Sequence, residues 1–263
     1  YDITDDAANI SGASSSTLQV SGDVTATNVS SKEDALSFKN DANVDNFTLD
    51  ASLKGAASIT GATVDEALAL LENSSGATNG LTDETVISIV DDVSDLDSHI
   101  SDLTDPAILG DVASVHATVS NIGDAESFVS GVQQSGASFS SSNLPSVVDK
   151  FSLDTSVLSS EANFANLSVS QALSVLKAEN ASAIPNISIV DTYANLTATD
   201  ASSLNAGLGS QSIPSILENP YVVTNGGTVS FTFKSVHVED VTLTEAIDLN
   251  ENYPNVNFSY SLD

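Results

Sequence analysis

The sequence predicts an α/β protein: a repeat or solenoid-like stack of short, mostly parallel strands and short helices, with an antiparallel, β-rich C-terminal part. Three observations predict it. Ile87-Ser88-Ile89-Val90-Asp91 returns as Ile187-Ser188-Ile189-Val190-Asp191. Short stretches of alternating apolar residues repeatedly end in Asp, and Ser or Thr with Glu or Gln three residues on recurs ahead of apolar runs. Repetition on this scale points to a modular structural array.

The strands come first. Residues 1–5, 47–50, 87–91, 151–154, 187–191 and 258–263 alternate β-branched or aromatic positions before a closing Asp, the period of a half-buried strand. An Asp directly after a strand suits a helix N-cap, its carboxylate accepting from the orphan amides of the first turn. Asp5, Asp50, Asp91, Asp154 and Asp191 are therefore read as caps of the helices that follow them. Beyond Asp91, Val93, Leu96, Ile100 and Leu103 fall on one helical face. Thr63 with Glu66, Ser168 with Gln171 and Thr242 with Glu245 spell capping boxes, each ahead of an apolar run. The order strand, helix, strand over 151–153, 168–179 and 187–190 is a βαβ unit, which demands parallel strands.

Four segments follow: 1–46, a partial N-terminal repeat; 47–150, a first α/β copy with a helical insertion; 151–224, a second copy; and 225–263, a β-rich end. Within the first copy, 105–150 reads as mostly helical, with Pro106 in a first-turn position and the Ser-rich tract 135–142 as an exposed loop. Asn225-Gly226-Gly227 is a hairpin signal, so residues 228–233 and 236–238 are expected to be antiparallel.

Charge limits the partners. Thirty-six acidic residues against 6 basic give a net charge of −30, which repels phosphates and anionic lipid and excludes nucleic acid and membrane insertion as expectations. A hydrophobic content of 41% supports a packed core, and 5% aromatic residues means that Ala, Val, Leu and Ile build it. Without cysteine there is no disulfide, thiolate metal site or cysteine nucleophile. No apolar run reaches membrane-spanning length. A start at Tyr1 without a basic, apolar leader reads as a processed mature protein or a piece of a longer one.

Chemistry-bearing patterns are sparse. His99, His116 and His237 lack metal-ligand spacing, no Gly-x-Ser-x-Gly elbow occurs, and Gly207-Leu208-Gly209 lacks the rest of a phosphate-binding loop. No catalytic residue is assigned, and the chain is expected not to be an enzyme. Asp91, Asp92, Asp95 and Asp97 form the densest acidic cluster and are the candidate ligands for Ca²⁺, which takes carboxylate and carbonyl oxygens. Asn9, Asn28, Asn46, Asn73, Asn166, Asn180, Asn186, Asn195 and Asn257 head glycosylation sequons.

The run Asp5-Asp6-Ala7-Ala8-Asn9-Ile10, the run Asp191-Thr192-Tyr193-Ala194-Asn195-Leu196 and the helix start at Ser168-Val169-Ser170-Gln171-Ala172-Leu173 resemble the Asp-Thr-Ala-Ala-Asn-Leu repeats of very large bacterial surface proteins. These are adhesins and surface-layer proteins exported by one-step secretion. The first long copy departs from the pattern, reading Asp92-Val93-Ser94-Asp95-Leu96. The resemblance implies alternating short strands and helices and an extracellular, assembly-forming role. The expected function is a noncatalytic surface layer, filament or adhesive stalk built by head-to-tail contact between copies of the chain. The alternatives are an adhesin module that binds a cell-surface glycan or receptor, and a polysaccharide-acting enzyme.

Overall fold

The computed structural model describes all residues except 20, 73–80, 82–84, 185, 198–220, 225–226, 231–232 and 263. Its strands are β1 (Ile3–Asp6), β2 (Val24–Val29), β3 (Asn46–Leu49), β4 (Ser58–Ala62), β5 (Val86–Asp92), β6 (Val112–Val119), β7 (Lys150–Leu153), β8 (Ile187–Thr192), β9 (Tyr221–Thr224), β10 (Gly227–Ser230), β11 (Phe233–Val241) and β12 (Phe258–Leu262). Short helices alternate with them. The sheets run β1-β2-β3, β4-β5-β6-β7 and β8-β11-β12, with β9 and β10 as a separate pair. The protein is α/β with parallel sheets, and successive strands are neighbours within each sheet.

Contact density divides the chain into two compact units, one of Tyr1–Asp91 with Ser98–His116 and one of Asp92–Asp97 with Ala117–Asp263. In the first, alternate residues of β2 and β3 (Val24, Ala26, Val29, Phe47 and Leu49) are buried. Against them lie Ala35 and Phe38 of the helix Lys32–Asn40, which packs beside the helix Val64–Glu72. In the second, Ile187, Ile189, Val236 and Val238 form the buried side of β8 and β11, and the helices Ile122–Ser130 and Val169–Val175 pack together. The outward residues of these strands are mostly Ser and Thr, so the period of two separates core from water.

Two expectations are corrected. Among the described residues the C-terminal part is antiparallel only in the β9–β10 pair, where Gly227 lies opposite Thr224; β11 runs parallel to both β8 and β12. Asn225 and Gly226 lie outside the described residues. A turn signal governs only the strands it directly joins, and β12 arrives by a helical crossover, Leu243–Asn252, which returns the chain in the same direction. The stretch 105–150 is also less helical than expected, because Val112–Val119 forms the longest strand of its sheet. Val115, Ala117 and Val119 point inward there, and Ser114, His116 and Thr118 outward.

Candidate functional site

Strand-closing carboxylates organise this fold, but not all in the way local capping rules suggest. Asp50 accepts from the Leu53 amide at 2.8 Å and Asp154 from the Ser156 amide at 2.7 Å, each at the start of its own following helix. Asp91 and Asp191 differ. Asp91 Oδ2 accepts from the amide of Val64, first residue of the helix Val64–Glu72, at 2.8 Å. Asp191 Oδ2 accepts from the amide of Val169, first residue of Val169–Val175, also at 2.8 Å. Each carboxylate thus holds a helix that precedes it in the chain. Their own following helices start one residue later, where Asp92 accepts from the Asp95 amide and Thr192 from the Asn195 amide. Asp5 is displaced in the same way: Asp6 is the N-cap and its side chain makes no cap bond.

Asp5 and Asp191 share a fork. Asp191 Oδ1 accepts from the Thr192 amide at 2.8 Å and from Asn195 Nδ2 at 2.6 Å; Asp5 Oδ1 accepts from the Asp6 amide at 2.7 Å and from Asn9 Nδ2 at 2.8 Å. Asn9 and the Asp6 amide hold the Asp5 carboxyl below the usual carboxylate range. The two helices held from outside, and the helix Leu243–Asn252, begin with reciprocal boxes. Thr63 and Glu66, Ser168 and Gln171, and Thr242 and Glu245 each exchange side-chain and backbone bonds.

Directly before these boxes lies a feature that sequence reasoning missed. Gly61, Asn166 and Asp240 have φ of +64°, +59° and +48°, and each is followed by one apolar residue and then the N-cap. Asn28 (φ +59°) stands one residue further from its cap, Ser31. At Gly61, Asn28 and Asp240 the strand carries one residue more than its partner, as in the registers Ile59↔Ile87 then Ala62↔Ile89. A left-handed bulge therefore turns each strand into its helix. Three residue types fill it, so no single-letter pattern marks it.

Of the four candidate calcium ligands, Asp91, Asp92 and Asp95 offer oxygens that all lie within 4.8 Å of one another. Asp97 is drawn elsewhere. Its carboxylate accepts from the Ser140 and Ser141 amides and the Ser140 hydroxyl at 2.8–2.9 Å, pinning the Ser-rich loop. Burial pushes the Asp97 carboxyl up, and those amides more than offset it. The Ser94 hydroxyl and Asp95 amide lower Asp92. Asp95 stands where Asn9 and Asn195 stand in the forks; a carboxylate replaces an amide donor, so this corner concentrates negative charge suited to a hard cation.

Two of the histidines have hydrogen-bonding or ionic neighbours within the fold. His99 Nε2 lies 3.1 Å from Asp65. His237, on the outward face of β11, has Nδ1 2.9 Å from the Ser259 hydroxyl and Nε2 2.9 Å from that of Ser261. With Asn166, Gln171, Val190 and Glu239 it lines a shallow polar groove. Among the sequons, Asn180 is spent on structure, its side chain bonding both the amide and the carbonyl of Leu153; attaching a glycan to Nδ2 would remove a donor from that pair. Asn9, Asn28, Asn46, Asn166, Asn195 and Asn257 are exposed, Asn186 is half-buried, and Asn73 lies outside the described residues.

Compared with family models, curated proteins and solved structures, the chain matches none. No helix among the described residues is long and apolar enough to cross a membrane.

Proposed function

We propose that this chain is a noncatalytic, extracellular structural protein, built as a loose array of strand–helix modules that assembles into a surface layer, filament or stalk. The observation that carries the reading is the recurrence of one joint, in which a strand-closing aspartate holds the first amide of the preceding capped helix. It occurs at Asp91–Val64 and Asp191–Val169 with the same 2.8 Å bond to the same carboxylate oxygen. Recurring joints of this kind make neighbouring modules, rather than one central cleft, the unit of stability. The acidic surface keeps such an array soluble, and divalent cations or salt would relieve repulsion between copies.

Light scattering and negative-stain microscopy across protein concentration, with and without Ca²⁺, test this. Ordered polymers that grow with concentration are the expected result; a strict monomer under all conditions refutes it. The groove beside His237 supports a second reading, a glycan-binding module, because hydroxyl, amide, imidazole and carboxylate groups converge there around Val190. In that case a soluble oligosaccharide raises the melting temperature of a monomer, and Glu239→Ala abolishes the shift.

A further inference from the structure

Register assembles the floor of the groove beside His237. On the outward face of its sheet, His237 lies opposite Val190 of β8 on one side and Ser259 of β12 on the other. Cross-strand neighbours of this kind stand about 5 Å apart. The imidazole is held in place, because its two nitrogens each lie 2.9 Å from a hydroxyl, those of Ser259 and Ser261. Both in-plane positions are thus engaged, and the flat of the ring is what remains for contact. The half-buried Val190 beside it extends the same surface with methyl groups. Since β11 is paired to a strand on each side, its backbone is spent in ladders and the face offers side chains. A peptide added as a strand finds no ladder there.

Polar groups ring this floor. Glu239 stands two residues beyond His237 on the same strand face, about 7 Å along it. It is exposed, and its carboxylate has no hydrogen-bond or ionic partner among the described residues. On the β8 side, Asn166 directly precedes Leu167, which bridges to Ile189. Its exposed carboxamide is equally uncommitted among the described residues. Gln171 spends Oε1 on the Ser168 amide and keeps its NH2 group for another acceptor. Glu239 is the one acidic residue of the lining, in a chain of net charge −30.

We infer that this groove holds one ring of a neutral glycan. The C–H face of the sugar lies on the His237 ring and Val190, two adjacent hydroxyls donate to the Glu239 carboxylate, and further sugar oxygens accept from the Asn166 and Gln171 amide groups. Each part answers a need of that ligand. The C–H face of a sugar is apolar and gains from leaving water, while its hydroxyls need new partners once desolvated. A carboxylate accepts from two hydroxyls at once, and such charge-assisted bonds are roughly twice as strong as neutral ones. Glu239 and the acidic field around it repel uronic and sialic acids, which makes the ligand class uncharged. The inference rests on the glycan-binding reading of the groove, and adds the charge class of the ligand and the group that meets each part of it.

Titration of the full chain with cellohexaose, chitohexaose and mannohexaose, and with hexagalacturonic acid for comparison, tests it through the NMR signals of the His237 ring. A single hexose ring so held reaches a dissociation constant of about 1 mM, so at least one neutral hexasaccharide should shift those signals saturably by about 10 mM. The acidic hexamer should leave them in place. Glu239→Gln should weaken binding about tenfold, and His237→Ala about as much. Because Glu239 is exposed and unpaired among the described residues, the Gln variant should melt at the parent temperature without ligand. Binding of the acidic hexamer as tightly as the neutral ones, or in their place, overturns the neutral class and leaves glycan binding standing. Neutral binding of equal strength in the parent and both variants overturns this groove and puts the glycan elsewhere on the chain. Silence from every oligosaccharide overturns the inference and the glycan reading together.

Discussion

Replacing Gly61 by Ala, and separately by Asn, isolates the energetics of the strand-to-helix bulge. Gly61 sits at φ +64°, and a Cβ built on it meets nothing within 4 Å. Packing is therefore unaffected, and the whole penalty for Ala is the left-handed backbone, about 1–2 kcal/mol. Asn tolerates that region far better, as Asn28 and Asn166 already do at +59°, so Gly61→Asn should cost about 0.5 kcal/mol or less. Urea unfolding followed by far-ultraviolet circular dichroism reads both: the midpoint falls for Ala with an unchanged slope and hardly moves for Asn. The Ala variant should also melt lower by roughly 2–8 °C. Equal stability of the Ala variant and the parent chain, or equal losses for Ala and Asn, would refute the argument that conformation alone selects this residue.

Three further outcomes follow from the geometry. Asp95→Asn should rebuild at Asp91 the amide fork seen at Asp191; with oxygens within 4.8 Å, relief of repulsion is worth about 1 kcal/mol in chelator, and a less stable variant in thermal melts would contradict it. Lys32 lies 2.7 Å from the buried Glu66 and keeps 21% of its side chain exposed. Lys32→Met should therefore cost about 2 kcal/mol, less than for a sequestered pair, with Glu66→Gln in the same chain recovering part; urea midpoints of the single and double variants measure both. The carboxyls of Asp50, Asp92, Asp154 and Glu245 are held low by hydrogen bonds from Leu53, Ser94, Ser156 and Thr242 respectively. A depressed folded-state pKa adds stability at neutral pH that is lost on acidification, so the melting temperature should drop below about pH 4. Burial raises Asp124, which acts in the opposite sense; a melting temperature that holds steady to about pH 2.5 would show that these bonds contribute little.

Local chemistry was legible where the partner is local. The three capping boxes are complete within four residues each, and β5 and β8 carry a period-two alternation of β-branched residues that favours a strand. Four strands escaped notice, β9 among them. β2 and β6 are diluted with Ala, Thr and Ser, and β4 contains Gly61, so hydrophobicity alone does not mark them. The bulge was invisible because its backbone demand is met by Gly, Asn or Asp. The true roles of Asp91 and Asp191 were hidden for a different reason. Each has a plausible partner next to it in the chain, whereas the actual partners, Val64 and Val169, are 27 and 22 residues away and come close only when the strands pair. Asp97 looked like one more member of an acidic run, and only folding brings Ser140 and Ser141 to it.

Those two aspartate joints also matter under load. Each closes a chain segment of 27 or 22 residues with a charge-assisted bond. A pull on the ends of the polypeptide loads each joint together with the strand pairing beside it, and once both give way the segments can lengthen by up to roughly 90 Å and 75 Å respectively. A tether made of such segments would yield stepwise and re-latch when slackened, absorbing shocks that would snap a rigid rod.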